Sequence, residues 1–153
     1  MRCHDAIVEW AEDFRDLVRT PNLRALAGEG GWFQGGCWTL AEAVRGWMGR
    51  KARLFSIHDL SLRKYQTKDL PASTLLHVVI RIGDCYIDAD GAWTRDGLLR
   101  EWSRSGRKLV LRPFDEKKDV RSMECPLHSV SALYQALMDE YGPADDLLYR
   151  AEL

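Results

Sequence analysis

The order of predicted secondary-structure elements places the chain in the α+β class. Helical patterns come first, and short strand patterns with further helices between them follow. Two of the strand patterns are separated by only two residues, and strands joined by so short a turn pair antiparallel. Helices that precede mainly antiparallel strands are typical of α+β proteins, in which the helices pack on a small sheet.

The predicted helices follow from apolar residues at helical spacing. Such spacing runs from Asp5 to Val18, where Asp5 can serve as the N-cap, and a short helical turn is expected over Leu23 to Ala27. A second long helix is predicted from Cys37 to Met48, with Gly49 able to end it. Later helices are predicted at two places, Thr94 to Trp102 and Ser129 to Tyr141.

The strands are predicted from short β-branched or apolar runs between turn residues. These runs are Leu54 to Ile57, His77 to Ile82, Cys85 to Ala89 and Leu109 to Arg112. The polar stretch from Ser61 to Thr74 is expected to be a loop, long enough to serve as a lid or binding loop.

Gly83-Asp84 predicts the register of one hairpin. If these are the only turn residues, Ile82 pairs with Cys85, Val79 with Asp88, and His77 with Asp90. Faces alternate along each strand, so one face is wholly apolar and is expected to be core. The opposite face is expected to lie outside the core and carries His77, Val79, Arg81, Tyr86, Asp88 and Asp90.

Length, charge and hydropathy argue against several classes of protein. A chain of 153 residues predicts one domain, 1–153, and a formal net charge of -1 with scattered Lys and Arg gives no reason to expect nucleic acid. No apolar run is long enough for a membrane helix, and acids interrupt any signal-peptide pattern at the N-terminus. We therefore expect no membrane partner and a cytoplasmic location.

The four cysteines are widely spaced and form no CxxC pair, so we expect neither a disulfide framework nor a zinc site. Dinucleotide, Walker A and metal-ligand motifs are missing from the sequence, so no cofactor and no metal is predicted. If all four thiols are reduced, any one of them that lies in a suitable position could act as a reactive thiolate.

Cys37 is the cysteine in the most favourable position for chemistry. It follows Gly35-Gly36 and opens a helix, where unpaired backbone N–H groups and the helix dipole stabilise a thiolate. The same N–H groups could hold an oxyanion. The alternative is that Cys37 is a small buried hydrophobe on the apolar stripe of its helix.

The hairpin supplies the predicted partners of Cys37. Asp90 would lie directly opposite His77, and Asp88 on the diagonal, within reach of an imidazole nitrogen. An aspartate that orients a histidine supports a thiolate–imidazolium pair. The alternative is a solvent-facing hairpin whose polar side happens to contain these residues.

Other residues receive structural interpretations. His58 with Asp59 is expected to be surface polarity, and Cys85 is expected to be inert on the core face of the hairpin. Six tryptophans divide into two groups: Trp32, Trp38 and Trp93 lie near the predicted site, and Trp10, Trp47 and Trp102 lie on helix stripes expected to be core.

Two segments resemble a known superfamily. Gly35-Gly36-Cys37-Trp38-x-Leu40-Ala41 is similar to the helix start that carries the nucleophile of papain-like cysteine peptidases. The segment from His77 to Asp88 resembles the His-strand-turn-strand-Asp arrangement of the papain-like and transglutaminase-like superfamily. The resemblance covers roughly residues 32 to 102, and the short spacing between Cys and His fits its compact bacterial and phage-type members.

The resemblance implies a papain-like (transglutaminase-like) fold, with N-terminal helices and the nucleophile helix packed on a small antiparallel sheet. It implies Cys37 as nucleophile, His77 as general base and Asp88 rather than Asp90 as the orienting acid. Gln34, Gly36, Trp38 and Asp90 are the expected oxyanion and pocket residues. Gln34 lies closer to the cysteine than the oxyanion glutamine of the larger peptidases, so it could instead only cap the helix or line the pocket.

The expected function is acyl transfer by a Cys-His-Asp triad, as in a thiol peptidase or amidase acting on a peptide or protein. Two alternatives stay open from the sequence. One is a transglutaminase- or deamidase-type enzyme acting on protein glutamine, and the other is an inactive binding module of the same fold.

Overall fold

The computed structural model describes residues 2–62, 74–103, 106–119 and 124–153 and has the predicted α+β architecture. The helices are α1 (Asp5–Val18), α2 (Pro21–Arg24), α3 (Cys37–Met48), α4 (Arg95–Trp102), α5 (Glu116–Asp119), α6 (Leu127–Tyr141) and α7 (Asp145–Arg150). The strands are β1 (Ala52–Asp59), β2 (Leu75–Ile82), β3 (Cys85–Asp88), β4 (Gly91–Trp93) and β5 (Leu109–Pro113). Single 3-10 turns occupy Ala25–Ala27, Gly49–Lys51 and Leu60–Leu62.

The two long N-terminal helices have the predicted bounds. The cap of α1 differs from the prediction: His4, rather than Asp5, is the N-cap, and its Nδ1 accepts a hydrogen bond from the backbone N–H of Ala6 at 3.1 Å. Asp5 instead lies in the first helical turn, where a carboxylate complements the positive end of the helix dipole.

The described strands form one antiparallel sheet in the order β4-β3-β2-β1-β5. The predicted two-residue turn at Gly83-Asp84 is confirmed, because Ile82 pairs with Cys85 and Ile80 with Ile87. The predicted pairing of His77 with Asp90 is wrong. The chain turns again after Asp88, which pairs with Gly91 of β4, and Asp90 lies in that second turn.

The main core lies between the apolar face of the sheet and the helices α1 and α3. Helix α3 packs against β2 on one side and α6 on the other. The apolar hairpin residues predicted to be core are buried here: Val78, Ile80, Ile82, Cys85, Ile87 and Ala89. Nearly complete burial of such side chains stabilises the fold by about 1.5–3 kcal/mol for each Val or Ile.

The opposite face of the hairpin is also covered, which corrects the expectation that it lies outside the core. Val79, Tyr86 and Leu98 belong to a second buried cluster, in which Leu98 comes from α4. Helix α4 follows directly after β4 and packs on this face. Consequently, His77 and Asp88 are buried polar residues rather than surface residues.

His58 is likewise buried, and the interpretation of His58-Asp59 as surface polarity is wrong. The His58 ring contacts Ser56 Oγ at 3.0 Å and Thr74 Oγ1 at 2.8 Å, and it accepts a hydrogen bond from Arg112 at 3.3 Å. Burial lowers the pKa of His58 to about 4, with the positive charge of Arg112 acting in the same direction. The ring is therefore neutral at pH 7 and joins β1 to β5.

Cys3 and Cys85 are joined as a disulfide, contrary to the expectation of reduced cysteines without a disulfide framework. Cys85 is buried on the core face, as predicted, but the expectation that it is inert is wrong, because it pairs with Cys3 and so connects the segment before α1 to β3. Cys37 and Cys125 form no disulfide. Among the described helices, none is long and apolar enough to cross a bilayer.

Candidate active site

Close packing of glycines fixes the position of Cys37 at the start of α3. Gly36 is the N-cap residue, and its N–H donates to the carbonyl of Gly31 at 3.0 Å. A Cβ atom on Gly36 would lie 2.7 Å from that same oxygen and 2.8 Å from Cβ of Ala27. Only glycine therefore lets the loop fold back so closely, which explains the glycine before the cysteine.

The Cys37 thiol is buried, with 3% of the residue exposed. Burial alone raises the pKa of a thiol, but the nearby His77 side chain, with the positive charge of its ring, lowers it. Backbone hydrogen bonds from Val78 and Trp38 add to the lowering, so the net pKa of Cys37 is below its usual value. The strand β2 thus contributes both a histidine and a backbone N–H to the sulfur.

His77 connects Cys37 to Asp88. Its ring is fully buried, and Nε2 donates to Oδ2 of Asp88 at 3.1 Å. Nδ1 has no hydrogen-bond partner within the described parts of the chain, so it is the ring nitrogen available to the thiol. Burial lowers the pKa of a histidine, yet the interactions with Asp88 and Cys37 outweigh it and raise the pKa of His77 to about 9. The arrangement thus favours an imidazolium beside a thiolate.

The Asp88 carboxylate is held in place by three contacts. Oδ2 accepts from His77, and Oδ1 accepts from the backbone N–H of Asp90 at 2.9 Å and from Nε1 of Trp93 at 3.1 Å. With both oxygens occupied, the carboxylate cannot rotate away from the ring without losing a buried hydrogen bond. The second turn of the sheet, between β3 and β4, therefore fixes the orientation of Asp88.

Aromatic side chains enclose the His77 ring. Trp102 stacks on it with centroids 4.4 Å apart and an angle of 21° between the planes, and Phe33 lies 5.4 Å away. The assignment of Trp102 to a core helix stripe misses this contact. The available signal was the position of Trp102 at the end of the first helix after the hairpin, which had to pack on one of its faces.

The other predicted pocket residues are placed differently from one another. Gln34 is exposed, and the N–H of Gly36 is occupied by Gly31. Trp38 is half-buried against Phe114, with ring centroids 5.7 Å apart. The carboxylate of Asp90 pairs with Arg19 at 2.8 Å and not with His77.

Most of the predicted lid or binding loop lies outside the described residues. At its ends, Ser61 donates to the carboxylate of Asp59, and Thr74 contacts His58. Both ends are therefore tied to β1. The parts of the chain that the structure describes contain no group of three or more His, Cys, Asp or Glu arranged to hold a metal ion.

No protein-family model, curated protein or solved structure matches this chain.

Cys37, His77 and Asp88 are thus all buried, His77 donates to Asp88 at 3.1 Å, and Cys37 and His77 shift each other's pKa in opposite directions. A cysteine with a lowered pKa beside a histidine with a raised pKa can exchange a proton without net charge entering the core. That chemistry suits nucleophilic attack on a carbonyl followed by protonation of a leaving amine.

Proposed function

We propose that this chain is a cysteine-dependent hydrolase that cleaves an amide bond, a thiol peptidase or amidase of the papain-like type. Cys37 is the nucleophile, His77 the general acid and base, and Asp88 the residue that orients His77. The single observation that carries the proposal is the buried His77–Asp88 hydrogen bond beside Cys37, with the pKa of Cys37 lowered and that of His77 raised.

The reaction follows from this ion pair. The Cys37 thiolate attacks the amide carbonyl, and backbone N–H groups of the first turn of α3 stabilise the oxyanion. His77 gives its proton to the leaving nitrogen as the C–N bond breaks, which leaves a thioester on Cys37. The neutral imidazole then takes a proton from water, the hydroxide oxygen replaces the sulfur, and the thiolate–imidazolium pair returns.

The free-energy cost of burying the His77–Asp88 pair next to Cys37 supports a functional role for these residues over simple packing. A cysteine that only filled space would pack more favourably among apolar neighbours. Here its neighbour is a fully buried histidine paired with a buried carboxylate. Desolvating such a pair costs several kcal/mol, and well-packed apolar residues could replace it at no loss of stability.

The reaction needs a reduced Cys37, and the cytoplasm keeps thiols reduced, so we propose a cytoplasmic location. We also propose that the substrate is a peptide or protein. The Cys3–Cys85 disulfide is the observation that speaks against this location, because disulfides are rare there.

Alkylation with iodoacetamide at pH 7, followed by peptide mass mapping, tests the nucleophile. We expect Cys37 to react faster than a small model thiol, because its thiolate fraction is larger. Cys125 is the matched control: burial raises its pKa to about 11, so Cys125→Ala should leave the fast phase intact, whereas Cys37→Ala should remove it.

The acyl step is tested with p-nitrophenyl acetate. We expect a burst of p-nitrophenol and an acetyl adduct on Cys37, both lost in Cys37→Ala and retained in Cys125→Ala. A Cys37 that neither alkylates faster than the model thiol nor accepts an acetyl group would overturn the proposal and favour the alternative of an inactive binding module.

A further inference from the structure

A basic cavity lies beside the turn between β2 and β3, away from the candidate active site. Its volume is about 250 Å³, and its lining residues are Lys51, Arg53, Arg81 and Gly83. Arg81 follows His77 on β2 by four positions. Strand residues rise by about 3.3 Å each, so the two are roughly 13 Å apart along the strand. A ligand in the basic cavity therefore needs no activity of Cys37.

Two arginines of the basic cavity face each other across neighbouring strands. Arg53 of β1 is the direct cross-strand partner of Arg81 of β2. Like charges placed directly opposite each other destabilise a sheet, and a guanidinium group cannot lose its charge. Lys51 adds a third positive charge two positions before Arg53. Repulsion among the three groups is therefore built into this end of the sheet.

The protein does not compensate these charges with its own acids. Among the described residues, none forms an ion pair with Lys51, Arg53 or Arg81. Asp84 is the nearest acid along the chain, but it lines the neighbouring cavity rather than this one. The basic cavity thus has three positive charges and no carboxylate in its lining.

The guanidinium group of Arg81 is held in place before any ligand binds. Its Cζ lies 5.5 Å from the centroid of the Phe55 ring and 5.9 Å from that of the Tyr86 ring. Its Nε donates to the carbonyl of Gly83 at 3.1 Å, and its terminal N–H groups have no partner in the described parts of the chain. These groups form the planar fork that binds two oxygens of one oxyanion. A group that is already positioned loses less entropy on binding.

The size and charge of the cavity indicate a phosphate group. Since a water molecule occupies about 30 Å³ of liquid, the cavity has room for a tetrahedral oxyanion. Three positive charges match a doubly charged phosphate better than a singly charged carboxylate. A nucleic acid needs a basic surface that continues along its backbone, whereas the chain as a whole has a formal net charge of -1.

We propose that the basic cavity binds a doubly charged phosphate group, either the free ion or the phosphate of a small monoester. Arg53 and Arg81 donate hydrogen bonds to the phosphate oxygens, and Lys51 contributes a third positive charge. The bound phosphate offsets the repulsion between the two arginines, so binding stabilises the folded chain.

The test is a titration of the full, ¹⁵N-labelled chain with inorganic phosphate at pH 8, with sodium chloride adjusted to keep the ionic strength constant. We expect the backbone amide signals of Arg53 and Gly83 to shift and to saturate. In Arg53→Gln and in Arg81→Gln the Kd should rise about tenfold, the effect of losing one hydrogen bond between charged groups.

Arg100→Gln is the matched control. Arg100 is an exposed arginine of α4 outside the basic cavity, so its loss changes the net charge equally and should leave the Kd unchanged. Urea unfolding shows that the variants fold. Without phosphate, Arg53→Gln should unfold at a higher urea concentration than the unchanged chain, because the repulsion is relieved.

Methyl phosphate distinguishes the two sources of the phosphate group. A Kd equal to or below that of inorganic phosphate identifies a monoester as the ligand, and a higher Kd identifies the free ion. Amide shifts that do not saturate with either compound, or an equal loss of binding in Arg100→Gln, would overturn the phosphate site. Neither result bears on the reactivity of Cys37, so the proposed function is tested separately.

Discussion

The ring of Trp102 lies almost parallel to the ring of His77, with centroids 4.4 Å apart. An aromatic face stabilises a cation placed over it, and the raised pKa of His77 means that the ring is an imidazolium at neutral pH. The stack therefore helps to keep the positive charge that the thiolate of Cys37 needs, while it shields the pair from water.

The stack predicts the effect of Trp102→Ala on the pH dependence of esterase activity. Trp102→Ala removes the aromatic face, which lowers the pKa of His77, and it also relieves part of the burial, which raises that pKa. Because the face lies directly over the charged ring, we expect the alkaline limb of the rate of acylation by p-nitrophenyl acetate to move to lower pH; a move to higher pH would mean that burial is the larger effect of Trp102. Trp102→Phe keeps a ring and should leave that limb near its original position; an equal shift in both variants would contradict the role assigned to the stack.

The two aspartates of the hairpin are distinguished by one pair of variants. Asp88→Asn removes the charge that raises the pKa of His77, so the thiolate fraction of Cys37 should fall. We expect alkylation of Cys37 at pH 7 to slow at least about tenfold, the effect of one pKa unit. Asp90→Asn, its matched control, should have little effect, because Asp90 pairs with Arg19. The opposite ranking of the two variants would identify Asp90 as the orienting acid.

The raised pKa of His77 also predicts how stability depends on pH. The folded-state pKa of about 9 exceeds the usual 6.5 of an unfolded chain, so the stabilisation is fully present below pH 6.5 and is lost as the pH rises through 9. The lowered pKa of Cys37 acts in the opposite direction, since its stabilisation is lost as the pH falls through the folded-state value.

A Cys37→Ala background separates these two contributions. In that background only Asp88 still raises the pKa of His77, so the difference in unfolding free energy between His77 and His77→Gln should be largest below pH 6.5 and should be lost at a lower pH than the value of about 9 found with Cys37 present. Urea unfolding from pH 5.5 to 10 measures this difference. A difference that grows with pH would mean that His77 is stabilised in its neutral form.

The relation between His77 and Asp88 could be predicted because it depends on local chemistry. Gly83-Asp84 is a dipeptide suited to a tight turn, and once the turn is fixed, strand alternation places both side chains on one face. The same reasoning failed for Asp90, because it assumed that β3 continues. A strand as short as β4 leaves almost no periodic signal.

The burial of the hairpin face that carries His77 and Asp88 could not be predicted, and the reason is different. A histidine and aspartates on a strand are typical of a surface, and only tertiary packing shows that α4 buries them. His58 presents the same difficulty, since its partner Arg112 lies on β5 and is far away in sequence. Long-range pairing of polar groups leaves no local pattern.

Two glycines, one capping α3 and one within it, allow a final prediction about how the nucleophile is positioned. At Gly36, an added Cβ would meet the Gly31 carbonyl at 2.7 Å, and backbone cannot give way as a flexible side chain can. Gly36→Ala should therefore destabilise the fold by about 1–3 kcal/mol, as overpacking does, and should displace Cys37. At Gly46 an added Cβ would meet its nearest neighbour, Tyr134, at an ordinary 3.7 Å.

Because Gly46 is inside the same helix, Gly46→Ala should stabilise the chain by about 0.5–1 kcal/mol. Urea unfolding and the rate of Cys37 alkylation measure the two effects. We expect Gly36→Ala to lower both the unfolding free energy and the alkylation rate, and Gly46→Ala to raise the first and leave the second unchanged. Unchanged alkylation in a folded Gly36→Ala variant would show that Cys37 is held by its contacts with His77 and Val78 rather than by the glycine turn.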